Sequence, residues 1–289
     1  MYLPNEIHDA KVLITVKTYP LPSNKYEELV CTAGLLEDGK WIRIYPIPFR
    51  SLPFGKRFAK FQWIQLNLIR NSSKDFRPES YRPIGDASNS IKLLEHWDTK
   101  TKGNWEKRKQ IVLKEVFTNF TELITASYSE QHKSLATLKP LEVIDLEIEE
   151  DKRDWKQQWQ DYYDQYDLFN FDDTGESKLR EKLLKVPYKY YYKFLTEGDK
   201  KPRRIMIEDW EIGALYWNSL KSANGDEVKA NELVKKRYFE EFTTNKDLYL
   251  FVGTTLQFHR RKAPNPFVII GVFYPPKEKE KSTSLFDMQ

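Results

Sequence analysis

The chain has 289 residues, of which 40% are hydrophobic and 15% aromatic, so it can bury a sizeable core without disulfide support. The single cysteine, Cys31, excludes a disulfide scaffold and a cysteine-based zinc site. A mean hydropathy of −0.70 without a long apolar run excludes a membrane span. The N-terminal residues show no signal-peptide pattern, so we expect a cytoplasmic protein that has no membrane partner.

The net charge of +4 is unevenly distributed along the chain. Residues 41–82 carry nine Lys and Arg against two acidic residues, a net +7, and residues 178–204 carry ten against three, also +7. Between them, residues 141–176 carry three against thirteen, a net −10. Alternating blocks are typical either of solvated faces on separate elements or of a polyanion-binding surface with an acidic segment that screens it.

The first part of the chain predicts β structure. β-Branched and alternating residues indicate four strands, at 10–19, 27–36, 41–47 and 61–70. The turn at 37–40 places Gly39 where a positive φ is needed, which predicts a hairpin between the second and third strands. Short strands separated by turns favour a small β-barrel or a strongly twisted sheet.

The rest of the chain mixes helices and strands. Apolar residues at three-to-four spacing predict one amphipathic helix over 104–128, and later helices at 210–220 and 228–242. Strands are predicted at 141–148, 188–196 and 204–208, and residues 247–258 and 265–276 read as neighbouring buried strands.

We therefore predict an α+β fold with an N-terminal small β-barrel or twisted sheet, a helical middle and a C-terminal β-rich part. The predicted domains are a β-rich basic module at 1–95, a helical, acidic middle at 96–186, a β-rich part at 187–276 that packs on the first, and a flexible tail at 277–289. One continuous domain is the alternative.

Basic and aromatic residues interleave after the third strand. Arginine binds phosphate bidentately and exposed aromatic rings stack on unpaired bases, so this pattern predicts nucleic-acid contact, with DNA as the expected partner. The alternative is that the Phe residues belong to the core and the cations are merely solvated. The residues expected to contact phosphate are Arg43, Arg50, Lys56, Arg57 and Lys60, together with Arg260 and Arg261 near the C-terminus.

No phosphate-binding glycine loop, dinucleotide fingerprint or HExxH motif is present. Five residues nevertheless have types suited to general acid–base work, and they are Asp75, Glu79, Asp209, Glu211 and His259. Each also has a structural interpretation, such as a salt-bridged turn for Asp75 and Glu79, a helix N-cap for Asp209, or a surface-loop histidine. We predict no cofactor and no dedicated metal site, although a nuclease would use Mg²⁺.

Four strings of the sequence resemble an uncharacterised bacterial protein family: KWIRIYPIPFR, DFRPESYRP, MIEDWEIGALY and NPFVIIGVFYPP. The resemblance implies a bacterial, intracellular protein and assigns no catalytic residue. Residues 282–286 resemble the short peptides with which bacterial DNA polymerases and mismatch-repair proteins dock on the sliding clamp. That second resemblance implies that Leu285 and Phe286 bind the clamp as a partner.

Three functions follow as hypotheses. The leading one is a bacterial DNA-associated, nucleic-acid-binding protein that serves repair, DNA modification or phage defence. The second is an enzyme that acts on nucleic acid or nucleotides through its Asp, Glu and His residues. The third is a non-catalytic subunit of a multi-protein complex, with the aromatic residues of 155–166 as its interface.

Overall fold

The N-terminal strands close into a barrel in the computed structural model, which describes residues 3–23, 27–159 and 183–277. A C-terminal sheet and several helices complete an α+β fold, as predicted. The elements of the N-terminal part are β1 (Glu6–Lys17), β2 (Leu21–Ser23), β3 (Glu27–Leu36), β4 (Trp41–Ile47), β5 (Gln62–Arg70), β6 (Ser80–Pro83), α1 (Ala87–Ser90), β7 (Lys92–His96) and α2 (Asn104–Val112).

The barrel has the strand order β1-β3-β4-β6-β5, and β5 pairs back with β1 to close it. The β4–β6 pair is parallel and the other four pairs are antiparallel. The predicted hairpin is confirmed, because β3 and β4 pair through a turn in which Gly39 has φ +85°. A side chain at that φ is strained, so glycine suits the position.

The C-terminal part contributes a second sheet and the remaining helices. Its elements are β8 (Val116–Phe117), α3 (Phe120–Tyr128), β9 (Leu135–Leu138), β10 (Glu142–Glu150), β11 (Tyr188–Leu195), β12 (Arg203–Ile207), α4 (Trp210–Ser222), α5 (Glu227–Lys235), a π-helical segment (Lys236–Glu241), α6 (Phe242–Asn245), β13 (Tyr249–Thr254), α7 (Leu256–Arg260) and β14 (Phe267–Phe273). The sheet order is β10-β11-β12-β14-β13-β9-β8. None of the helices in the described ranges is long and apolar enough to cross a bilayer.

The second sheet packs directly on the outside of the barrel. Its strands β13 and β14 are buried along their whole length, apart from the half-buried Tyr249. They are neighbours, as the sequence predicts, and they pair antiparallel. Trp41 of the barrel meets Phe251 of β13 edge to face, with ring centroids 5.2 Å apart. Gly253 leaves room within the second sheet, because a Cβ there would lie 2.8 Å from the Ile270 side chain of the neighbouring strand β14. An apolar core therefore continues across the junction of the two parts.

The prediction of one continuous helix over 104–128 is wrong. Two helices, α2 and α3, occupy the segment, with the short strand β8 between them. Asn119 starts the second helix, because its side chain accepts hydrogen bonds from the backbone N–H groups of Thr121 and Glu122. The apolar spacing spans both helices, but this internal N-cap divides them.

Candidate nucleic-acid interface

The loop that follows β4 projects one aromatic ring into solvent. Two 3₁₀ turns, Phe49–Ser51 and Phe54–Lys56, form this loop, and Phe54 is 89% exposed. Arg57 holds the two turns together, since its guanidinium donates to the backbone carbonyls of Leu52 (3.0 Å) and Arg50 (2.7 Å). We call residues 48–57 the barrel tip.

Of the predicted phosphate-contacting residues, Arg43 is buried and Lys60 is largely buried, with 12% of its side chain exposed. Arg43 is only 6% exposed, and its guanidinium donates to the hydroxyl of Ser134 at 3.0 Å. Its pKa falls to about 10, chiefly because burial disfavours the charged form. Lys60 forms an ion pair with Glu211 at 2.6 Å between Nζ and Oε2. Both side chains thus stabilise the junction of the two parts rather than face solvent.

Arg43 and Lys60 are shielded because the second sheet covers this outer side of the barrel. From the alternation of one strand alone, this side is expected to face solvent. Phe61 is buried for the same reason, whereas Phe58 is buried in the interior cluster of the barrel. Of the five predicted cations between Arg43 and Lys60, Arg57 is exposed, and Arg50 and Lys56 are half-buried.

A second cationic surface forms where the loop after β5 meets α7. The side chain of Arg260 donates to the backbone carbonyl of Lys74 at 2.9 Å, although the two residues lie far apart in the sequence. Two phenylalanine rings are partly exposed at this place, Phe76 at 38% and Phe258 at 43%. We call this surface the basic face, and it comprises Lys74, Phe76, Phe258, Arg260, Arg261 and Lys262.

The charge of the basic face is not neutralised within the described residues. No ion pair between the described side chains involves its four cations. The two acidic residues of the adjoining loop, Asp75 and Glu79, are both buried, and Asp75 pairs with Arg77. The face therefore presents four positive charges beside two aromatic rings.

Arg77 anchors this surface from beneath. It is buried, and it binds the Asp75 carboxylate twice, from Nε to Oδ1 at 2.8 Å and from Nη2 to Oδ2 at 2.5 Å. Its Nη1 also donates to the backbone carbonyl of Thr254 on β13 at 2.6 Å. Burial opposes ionisation of Asp75, but the hydrogen bonds and charge of Arg77 outweigh it and lower the pKa of that carboxyl. The pair is a salt-bridged turn that ties the barrel loop to the second sheet.

Glu79 is also buried, at 8% exposure. Its Oε1 accepts a hydrogen bond from the backbone N–H of Ser134 at 2.8 Å. Its Oε2 has no partner among the described residues, although it is shielded from solvent. A buried carboxylate oxygen without a donor is unusual in a folded protein, so this atom is chemically unsatisfied.

His259 lies inside the fold beneath the basic face. Its Nε2 is 2.8 Å from the carbonyl of Ser127, and its ring packs against Phe76, with centroids 4.8 Å apart. Burial lowers the pKa of His259. This geometry fits a neutral imidazole that supports Phe76 from below.

Asp209 and Glu211 form a separate cluster with Lys60. Asp209 is the N-cap of α4, accepting from the backbone N–H of Glu211 at 3.1 Å. Burial raises the pKa of Asp209 to about 6. Burial would lower the pKa of Lys60, but the negative charges of Asp209 and Glu211 outweigh it and raise that pKa.

The five candidate catalytic residues therefore fall into two groups. Asp75, Glu79 and His259 lie under the basic face, whereas Asp209 and Glu211 lie around Lys60. Within the described residues, no hydrogen bond or ion pair joins the two groups. Within the described ranges, no three His, Cys, Asp or Glu side chains are placed to hold a metal ion.

Sequence reasoning missed several residues of these sites, among them Lys17. Its Nζ lies 4.2 Å from the ring centroid of Phe49 and donates to the Phe58 carbonyl at 3.1 Å. Burial, aided by the charge of Lys60, lowers the pKa of Lys17 to about 8. Within the first strand it reads as an ordinary outward-facing residue, so no local signal marks it.

Some predictions lie outside the described residues. Leu285 and Phe286 of the tail are among them, as is most of the aromatic segment 155–166. The proposed clamp contact and complex interface stay predictions from the sequence.

Two families match the chain, and both are described as domains of unknown function. The first, DUF8758, matches residues 8–114, which contain the barrel and α2. The second, DUF8757, matches residues 116–289, which contain the second sheet and the basic residues of α7. No curated protein matches the sequence. Because the second match covers more than half of the 289 residues, the chain belongs to the family DUF8757.

Proposed function

We propose that this chain is a bacterial DNA-associated protein that binds nucleic acid through the basic face. The observation that carries the proposal is the contact between two sequence-distant segments that together carry four exposed cations and two half-exposed aromatic rings. Cations that meet phosphates supply sequence-independent affinity, and aromatic rings supply stacking surfaces for bases. DNA repair, DNA modification and phage defence are the processes in which we expect such a protein to act.

Single strands suit this surface better than duplex DNA. Stacking on Phe76 or Phe258 requires a base whose face is open, and bases within a duplex are already stacked on each other. The basic face also lacks a long helix, since α7 has five residues, so nothing in it resembles a recognition helix for the major groove.

An enzymatic function has less support from the geometry. The candidate catalytic residues form two groups, and Asp75, Asp209 and Glu211 each have an ion-pair or N-cap partner that explains them. The proposal therefore concerns binding and assigns no reaction.

The test is fluorescence polarisation with labelled single-stranded DNA, single-stranded RNA and duplex DNA, as a function of salt. The double variant Arg260→Gln/Arg261→Gln should weaken binding and reduce the slope of log K against log salt by about 1.4, since each single-strand phosphate contact contributes about 0.7. Phe258→Ala should weaken single-strand binding about fivefold or more, because stacking on one base is worth about 1–3 kcal/mol.

Two control variants match these changes. Lys200→Gln/Lys201→Gln removes two adjacent exposed cations from the turn between β11 and β12, and Phe54→Ala removes the exposed ring of the barrel tip. The proposal fails if the wild type binds no nucleic acid at low salt. It also fails if either control variant loses as much affinity as its basic-face counterpart.

A further inference from the structure

A cavity of about 260 Å³ opens where the loop after β7 and helix α2 meet the end of β14. Residues of both parts of the chain line it, and none of the six residues of the basic face is among them. Its volume is slightly below the usual range for drug-sized ligands, so the cavity suits a small molecule. Four aromatic side chains line it, namely Phe61, Trp105, Phe273 and Tyr274.

Arg108 of α2 lines this cavity with a side chain that is already fixed in position. The residue is 3% exposed. Its Nε donates to the Trp97 carbonyl at 2.7 Å, and its Nη2 donates to the same oxygen. Its Cζ lies 4.1 Å from the ring centroid of Phe61 and 4.8 Å from that of Trp105. The guanidinium is therefore oriented by two aromatic rings and a carbonyl before any ligand binds.

The remaining nitrogen of this guanidinium, Nη1, is available to a ligand. Among the described residues it has no hydrogen-bond partner, and Arg108 forms no ion pair. Nη1 is not one of the partnerless side-chain atoms that are shielded from solvent, so it can be reached through the cavity. Burial lowers the pKa of Arg108 to about 10, and the group is still cationic at neutral pH. A buried cation without an anionic partner is costly, and a bound anion removes that cost.

The two acidic residues that line the cavity have partners of their own. Oδ1 of Asp98 accepts from the backbone N–H groups of Lys100 at 2.6 Å and Thr101 at 2.7 Å. Glu211 is the ion-pair partner of Lys60. Both acids thus leave the Arg108 guanidinium unpaired. Their negative charges repel a phosphate dianion more strongly than a carboxylate, which carries a single charge.

We infer that this cavity binds a small aromatic carboxylate, with a carboxylate oxygen accepting from Arg108 Nη1 and the ring packed against Trp105 and Phe273. Guanidinium and carboxylate form a charge-assisted hydrogen bond, and aromatic walls favour an edge-to-face or offset ring. The inference goes beyond nucleic-acid binding and does not depend on it, because the cavity and the basic face share no residue.

The test is isothermal titration calorimetry of the full chain with benzoate and phenylacetate, and with their neutral counterparts benzamide and phenylacetamide. The carboxylates should bind, and each amide should bind about tenfold more weakly or worse, because a neutral acceptor replaces a charged one. Arg108→Gln should weaken carboxylate binding by about the same factor and leave amide binding less affected. The matched control Lys107→Gln removes the exposed neighbouring cation of the same helix and should leave carboxylate affinity unchanged.

A second variant keeps the test decisive if Arg108→Gln does not fold. Asp98→Asn keeps an oxygen for the turn but removes a negative charge from the cavity. It should strengthen carboxylate binding about twofold or more at low salt, without strengthening amide binding. The inference is overturned if the carboxylates do not bind at millimolar concentration, if the amides or inorganic phosphate bind as tightly, or if neither Arg108→Gln nor Asp98→Asn changes carboxylate affinity. Loss of nucleic-acid binding by the basic face would not affect any of these results.

Discussion

Replacing Arg77 by Gln should destabilise the protein far more than loss of an exposed ion pair. Arg77 is buried, makes two charged contacts to Asp75 and a third hydrogen bond to the Thr254 carbonyl. Its removal leaves a buried carboxylate whose main cationic partner is gone. Breaking one side of a buried pair typically costs about 3–5 kcal/mol, so we expect a loss of that size in the free energy of unfolding.

The measurement is equilibrium urea unfolding followed by tryptophan fluorescence, for Arg77→Gln, Asp75→Asn and the double variant. The double variant should lose about 2–3 kcal/mol less than the sum of the single variants, because the pair is removed as a unit. The matched control is the exposed pair of Lys107 and Glu95, with 2.8 Å between Nζ and Oε1. Lys107→Gln should cost less than about 1 kcal/mol.

The pH dependence gives a second readout of the same pair. The pKa of Asp75 is lowered in the folded state, so its contribution to stability is present above its ordinary pKa and is lost as pH falls through the folded-state value. The difference between wild type and Arg77→Gln should therefore be largest near neutral pH and shrink in acid, where Asp75 becomes protonated in the folded variant. A cost for Arg77→Gln no larger than that of Lys107→Gln, or one independent of pH, would refute the reasoning.

Three further predictions concern other sites. Burial raises the folded-state pKa of Asp209 to about 6. The free energy of unfolding therefore falls as pH rises from about 4 through 6, because the buried carboxyl must ionise in the folded state. Asp209→Asn should gain stability relative to the wild type over that interval, by at most about 3 kcal/mol in urea unfolding, and a pH-independent difference would contradict this. The pKa of Lys17 is lowered to about 8, so its rate of reductive methylation, followed by mass spectrometry, should reach half its maximum near that pH. The same pH profile for Lys17 and the exposed Lys102 would count against this prediction. Under the proposed clamp contact, Leu285→Ala/Phe286→Ala should abolish binding to a bacterial sliding clamp in surface plasmon resonance, and no binding by the wild type would end that proposal.

Local sequence patterns were enough to predict most of the strands. The β3–β4 hairpin follows from alternation on both sides of a glycine turn, and β13 and β14 follow from dense apolar runs. These signals are local because each depends on neighbours a few residues apart. The division of 104–128 into two helices was missed because apolar spacing continues across it, although the N-cap residue Asn119 was visible.

The burial of polar residues could not be predicted from local patterns. Alternation in β4 assigns Arg43 to the face away from the barrel interior, and in most small barrels that face meets solvent. In this chain the second sheet covers it, and Ser134, which accepts from Arg43, is distant in sequence. The basic face depends in the same way on the contact between Arg260 and Lys74. Only tertiary packing determines these partners.

The basic block at 41–82 therefore does not act as one surface. Its cations divide between the buried junction, as with Arg43 and Arg77, the barrel tip, as with Arg57, and the basic face, as with Lys74. Net charge along a sequence locates cations, but their burial decides which of them a polyanion can reach. Under the proposed function, nucleic acid accordingly contacts the place where Lys74, one lysine of this block, meets Arg260 of α7.

The basic face lies on the junction of the two matched families, DUF8758 and DUF8757. It takes Lys74 and Phe76 from the first match and the residues of α7 from the second. Neither half alone contains all of its cations and aromatic rings. The buried hydrogen bonds of Arg77 to the Thr254 carbonyl and of Arg43 to the Ser134 hydroxyl cross this junction. Under the proposed function, these two buried cations hold the halves of the site in register without contact to the ligand.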